Sequence, residues 1–243
     1  MWNIFSKEFK GFFSGWTGLI VPVVFLAVSG LFLWLMDGNF NILYSAYAEL
    51  TPFFDLAPWL LMFLIPAIGM RALSAEYRTG TIEIILTKPL RVFSLVSGKW
   101  LAVWIFVLFV LLPTLVYVYT IERLALPGNR PDAGIIIAGY MGLILLSAVF
   151  GAVSVYVSAS TEGQMAAYLG GVFLNFLIFY GLHGLGNFNL FGSADFYLRS
   201  TSLMNVYEHF GKGLIYLGDV AWMLFWTIIF LLLAVWQVKK HRR

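Results

Sequence analysis

The stretch WLAVWIFVLFVLLPTLVYVYTI, from Trp100 to Ile121, contains no charged side chain. A bilayer core about 30 Å thick is crossed by roughly 20 apolar residues in helical conformation. Continuous apolarity, as opposed to strict alternation, is the pattern of a helix rather than of a barrel strand. The rest of the 243-residue chain agrees: 61% of it is hydrophobic and 11% charged, against roughly 25% charged in a soluble domain. Its 23 Phe, 12 Tyr and 9 Trp exceed what one small soluble core could bury. A water-soluble globular protein is excluded, and the absence of cysteine excludes disulfides, thiolate nucleophiles and cysteine-ligated metals.

Five further stretches have room for a span. Thr17–Met36 and Val220–Val238 are clear, and Ala133–Thr161 and Gly163–Ala194 are longer charge-free runs. Leu56–Met70 is short and carries Pro58 and Pro66, so its helix is expected to start near Phe53 or to run past Arg71, whose side chain can snorkel. The chain is therefore read as one domain, residues 1–243, an all-α polytopic membrane protein. Its six transmembrane helices are placed at 17–36, 53–70, 100–121, 135–157, 164–182 and 214–238. No small-residue cleavage site follows the first run, which argues against a cleaved signal peptide. Lys7, Lys10, Arg71, Arg78, Lys88, Arg91, Lys99, Lys239, Lys240, Arg242 and Arg243 fall on one side, 11 of the 15 Lys and Arg. The positive-inside rule makes that side cytoplasmic, with both termini and the 71–99 loop.

Residues 1–16 form an amphipathic segment: Trp2, Phe5, Phe9 and Phe12, with Phe13 and Trp16, share a helical stripe, and Lys7, Glu8 and Lys10 lie off it. It is expected to lie on the cytoplasmic leaflet, either as a lever into the first span or as a mere leader. In the 71–99 loop, Gly80 can end one helix, Thr81 can cap the next, and Pro89 stops it. A short amphipathic helix bearing Glu76, Arg78, Glu83 and Lys88 suits docking on a partner, although a solvated turn would read similarly.

Glu76-x-x-x-Gly80-Thr81-x-Glu83-x-x-x-Thr87-x-Pro89-Leu90, followed by Gly98-Lys99, resembles the motif of ABC-2 type exporter permeases. His209-Phe210-x-x-Gly213-x-Ile215-x-x-x-Asp219 resembles the entry to that family's last span. More narrowly, Phe12-Phe13-Ser14, Gly30-Leu31-Phe32-Leu33-Trp34, Ala57-Pro58-Trp59 and Phe63-Leu64-Ile65-Pro66-Ala67 resemble the permease of the gliding-motility ABC transporter of Bacteroidetes. The resemblance implies a permease with an N-terminal interfacial helix, a coupling helix between spans two and three, and re-entrant helices in the external 183–213 loop. It implies a multi-pass protein of the bacterial inner membrane with cytoplasmic termini. Expected partners are an ABC ATPase, a second membrane subunit with an external domain, a second permease subunit (identical or not) and the lipid bilayer, with no nucleic acid. Glu76, Arg78, Gly80, Thr81, Glu83, Thr87 and Pro89 would form the ATPase contact; Phe210, Gly213 and Asp219 would form the external gate and the start of the last span.

Independently, no Gly-x-x-x-x-Gly-Lys-Ser/Thr phosphate loop is present, since Trp100 follows Lys99 and Gly213 follows Lys212. ATP and magnesium are thus expected on a partner, with no cofactor and no catalysis in this chain. Asn175 sits mid-span and is expected to make an interhelical hydrogen bond rather than a substrate contact. The glycines and serines of spans four and five read as packing or dimer contacts. His183, His209 and His241 lie near span ends, which disfavours an intramembrane enzyme, and the lack of central acidic residues disfavours a secondary transporter. A non-transporting scaffold of a motility or secretion machine is the alternative reading.

Overall fold

A computed structural model describes residues 1–44, 49–82, 91–125, 131–187 and 200–241. Among these residues every regular element is helical: α1 (Trp2–Phe13), α2 (Thr17–Gly30), α3 (Thr51–Gly69), α4 (Ser74–Arg78), α5 (Val92–Leu111), α6 (Leu115–Leu124), α7 (Ala133–Ser160), α8 (Gln164–Phe176), α9 (Leu182–Asn187), α10 (Leu203–Gly211) and α11 (Leu217–His241). A π turn over Leu31–Leu35 extends α2, another over Leu177–Gly181 joins α8 to α9, and a 3-10 turn at Leu112–Thr114 joins α5 to α6. Six stretches are long and apolar enough to cross a membrane: Gly18–Leu35, Thr51–Arg78, Val92–Leu124, Ala133–Ser160, Gln164–Asn187 and Leu217–Lys240.

The helix limits depart from the expected ones where local chemistry decides. The second starts at Thr51, two residues before Phe53, because Pro52 is tolerated in a first helical turn, where its missing N–H has no partner to lose. The third starts at Val92, well before Trp100, so Lys99 lies within a helix; Val92, Leu95, Val96 and Lys99 recur at helical spacing on its buried face. The fourth starts at Ala133, capped by Asp132, whose carboxylate accepts from the Gly134 amide at 2.7 Å. The last starts at Leu217 rather than residue 214.

Lipid tails are as apolar as leucine, so close packing and hydrogen bonds hold such helices together. The central pillar is α7, against which α3, α5, α8, α10 and α11 all pack. Its small residues are notches within this chain: a Cβ on Gly139 would stand 2.5 Å from the Phe54 ring, and one on Gly142 would stand 2.7 Å from Phe210 Cβ. Trp100 and Trp104 stack at 5.4 Å and donate their indole N–H groups to the α7 carbonyls of Ala148 (3.0 Å) and Ile144 (3.1 Å). From α11, Met223, Thr227, Phe230, Ala234 and Val238 form the stripe buried on α7, while Leu224, Phe225, Ile228, Leu232 and Trp236 stay exposed. At the periphery, α2 presents Pro22, Phe25, Ser29 and Leu33 inward, and the Ser29 hydroxyl meets that of Tyr117 at 2.9 Å.

Candidate coupling corner

Lys99 is 2% exposed, and its Nζ lies 2.8 Å from Glu8 Oε1 and 2.8 Å from Glu76 Oε1. A charge assigned by sequence to a loop surface thus sits at the meeting of α1, α4 and α5. Glycine at position 98 permits the approach: a Cβ there would be 3.2 Å from Ile4 and from the Met1 carbonyl. Further along, Phe12 stacks on Phe106 at 4.7 Å, and Phe13 meets Phe106 and Phe109 edge-on. The N-terminal helix therefore follows α5 from Gly98 to Phe109. Phe12 turns inward with Ile4 and Glu8, and Trp2, Phe5, Phe9 and Phe13 form an adjoining row with successive ring centroids 5.1, 5.5 and 5.2 Å apart, its Phe13 end also reaching α5. Glu8, placed by its polarity on the solvent face, is an inner residue.

On the other side of Lys99, the chain leaves α3 through a tight turn into α4. The amides of Leu73 and Ser74 have no cap from α4 itself; both donate to Ser158 Oγ of α7 at 3.0 Å, and that hydroxyl donates to the Met70 carbonyl at 2.9 Å. The Ser74 hydroxyl bonds the same carbonyl. Ser158, fully buried, caps a helix belonging to another span.

Beyond α4, Gly80 adopts φ +66°, a left-handed conformation suited to glycine, and makes the expected turn. The helix that Thr81 is expected to cap lies beyond residue 82, outside the described residues. Thr81 is itself helical, and its hydroxyl bonds run backward, to Thr79 Oγ1 at 2.9 Å and the Glu76 carbonyl at 3.5 Å. Arg78, Thr79, Gly80 and Thr81 are exposed while Ile82 is buried, so an apolar anchor carries a polar tip. Glu76 faces Lys99 rather than the surface, and its Oε2 is buried without a partner among the described residues. Among the described residues two carboxylates meet one ammonium here. Glu83, Thr87 and Pro89 lie outside the described residues.

Residues 2–241 match the family model described as ABC-2 family transporter protein. This chain belongs to the ABC-2 transporter permease family. It is a multi-pass membrane protein, and the match covers both ends of the bundle. Among curated proteins none matches the sequence.

At the end of the permease away from Lys99, α10 is wedged between α3 and α7. Phe210 is fully buried over Gly142, and Tyr207 donates to the Phe54 carbonyl at 2.7 Å. Burial first, and then the nearby Asp55 charge, push the Tyr207 phenol well above its ordinary value, so it remains a donor. Gly213 turns the chain with φ +78°. Asp219, in the first turn of α11, pairs with His209 Nδ1 at 2.7 Å rather than with Lys212, which instead lies 3.5 Å from Glu208. This pair ties α10 to the last span, and its two partners stand 10 residues apart. Asn175 is fully buried, and no described residue makes the expected interhelical bond with its side chain.

Gly142→Ala is expected to lower stability by about 1–3 kcal/mol, because the added methyl meets a Cβ fixed to the α10 backbone rather than a flexible side-chain end. Gly211→Ala, with nothing within 4 Å, is the control and should stay within about 0.5 kcal/mol of the parent. Thermal unfolding in detergent distinguishes the two.

Proposed function

We propose that this chain is the membrane subunit of an ATP-driven transporter whose ATPase is a separate chain that binds ATP and magnesium. The ATPase docks on the polar tip Arg78–Thr81 and on the adjoining segment through Pro89. The observation that carries this reading is Lys99, held between Glu8 and Glu76 directly behind that tip. A push on α4 moves Glu76, and through Lys99 moves α1 and α5 together. The Ser158 bonds pass the same displacement to α7, against which most of the bundle packs. Movement of packed elements as rigid bodies shifts the population between inward-open and outward-open states.

In this reading the Lys99 end is cytoplasmic, in accord with the lysine and arginine bias, and α1 half-sinks its aromatic ladder into the inner leaflet of a bacterial inner membrane. His209 and Asp219 hold the external helix to the last span. A second permease subunit completes the translocation path. The likeness of the first hundred residues to gliding-motility permeases supports placement in such a complex, beside a second membrane subunit with an external domain.

Arg78 is exposed and makes no ion pair among the described residues, so its reversal tests docking without touching the bundle. With the permease immobilised and the cognate ATPase passed over it, Arg78→Glu should lower retention by roughly tenfold or more, at unchanged melting temperature. Equal retention would place the docking surface elsewhere.

A further inference from the structure

At the end of the bundle away from Lys99, a cavity of about 420 Å³ opens between the first turns of α3, the π turn that follows α8, and α10. That volume lies within the roughly 300–1,000 Å³ common to small-molecule sites. Of its lining residues Asp55 and Lys212 are exposed and Glu208 is half-buried, whereas Phe179 and Tyr207 are buried. Asp55 precedes Trp59 by one helical turn of α3, and Glu208 and Lys212 come from the last turn of α10 and its C-cap. Trp59, Phe179 and Tyr207 form the floor, with Phe179 edge-on to Trp59 at 5.9 Å and to Tyr207 at 6.3 Å. The Tyr207 bond to Phe54 locks one wall of this floor, so its aromatic surfaces are set before any ligand arrives.

Among the described residues the charges do not cancel. Lys212 is 3.5 Å from Glu208 and its side chain is 65% exposed, an ion pair within one helix turn that is open to water. Asp55 makes no ion pair or hydrogen bond with any described residue, but it feels the charges of both Glu208 and Lys212, so two carboxylates at the mouth share one lysine. A positive group seated there would meet Asp55 and Glu208 at the rim and aromatic faces below, and tryptophan is the ring that attracts cations most strongly.

We propose that this cavity binds an ammonium group carrying a small apolar body, with the charge at Asp55 and Glu208 and the body against Trp59 and Phe179. Anions are repelled by the excess carboxylate, and neutral aromatic compounds gain only the floor. The ammonium can come from a dissolved amine or from a phosphatidylethanolamine headgroup. The site requires no ATPase and stands apart from the coupling corner.

Isothermal titration of the full chain in dodecyl maltoside with phenyltrimethylammonium tests it. One saturable site is expected, with benzenesulfonate failing to bind. Asp55→Asn and Trp59→Leu should each weaken binding by about tenfold, and Lys212→Gln should tighten it by about threefold, since removing the ammonium leaves Glu208 free. Asp55 is exposed, so its variant is expected to fold normally, with an unchanged melting temperature. Added phosphatidylethanolamine weakens the titrant if the headgroup is a ligand and leaves it unchanged if only dissolved amines enter. Absence of saturable binding, equal binding by Asp55→Asn, or equal binding of benzenesulfonate would overturn the proposal.

Discussion

Lys99→Met is expected to destabilise the permease more than any other single substitution at the coupling corner. The methionine matches the lysine stem in length, so the loss is of charge, not volume. It strands Glu8 and Glu76 facing each other with no cation between them, and breaking a buried ion pair from one side costs roughly 3–5 kcal/mol. The Glu8 side chain retains 28% exposure against 16% for Glu76, so it can turn partly to water, which places the expected loss at the lower end of that range. Thermal unfolding in detergent should show it, together with low accumulation in membranes. The triple variant Lys99→Met, Glu8→Gln, Glu76→Gln should recover most of the stability, because neutral replacements of a buried ion cluster are often tolerated. Under the proposed docking it should not recover stimulation of the ATPase, because α1, α4 and α5 would no longer be joined by charge. A single Lys99→Met as stable as the parent would remove the cluster from both the fold and the coupling mechanism.

Ser158→Ala carries the second large effect. One hydroxyl receives the Leu73 and Ser74 amides and reaches the Met70 carbonyl, all of it buried. Each buried backbone donor left without an acceptor costs about 1–3 kcal/mol. The two together should remove roughly 2–4 kcal/mol, partly offset if α4 slides toward water. Hydrogen exchange locates the effect: the Leu73 and Ser74 amides should exchange faster by one to three orders of magnitude while the interior of α7 stays protected, by about 1.4 kcal/mol per factor of ten. Ser154 is the comparison. Its hydroxyl bonds only the Phe150 carbonyl of its own helix, so Ser154→Ala should cost less than about 1 kcal/mol. Equal exchange in the two variants would mean that Ser158 is not the cap of α4.

The six helices were legible because a charge-free run of sufficient length has few alternatives in a chain this apolar. Their ends were not, for a reason visible at Lys99. A lysine reads as the edge of a span unless its counter-charges are known, and here they come from positions 91 and 23 residues away. The same blindness put Glu8 on the wrong face of α1: polarity sets a side chain toward water only when no buried cation awaits it. Gly80 was legible because a glycine between threonines after a short helix has one conformational use. Thr81 was read as a forward cap of residues that lie outside the described ones; its described bonds return to Thr79 and Glu76. Ser158 and Gly142 were visible only as small residues. What fills or bonds them, Phe210 and the amides of α4, belongs to segments whose placement follows from tertiary packing rather than from periodicity.

The central position of α7 also sets an order of assembly. During synthesis, α3 and α5 enter the bilayer before residues 133–160 exist. Until those residues emerge, the Phe54 ring has no notch, Trp100 and Trp104 have no carbonyls to meet, and the Leu73 and Ser74 amides have no hydroxyl. At about 5–20 residues per second this interval lasts a few seconds. For that time the first half of the chain is a set of inserted but unmatched helices, and it is then that membrane chaperones and proteases can sort a nascent copy. Substitutions on α7 are therefore expected to act on yield as much as on the finished molecule, because they lengthen the wait of helices already in place.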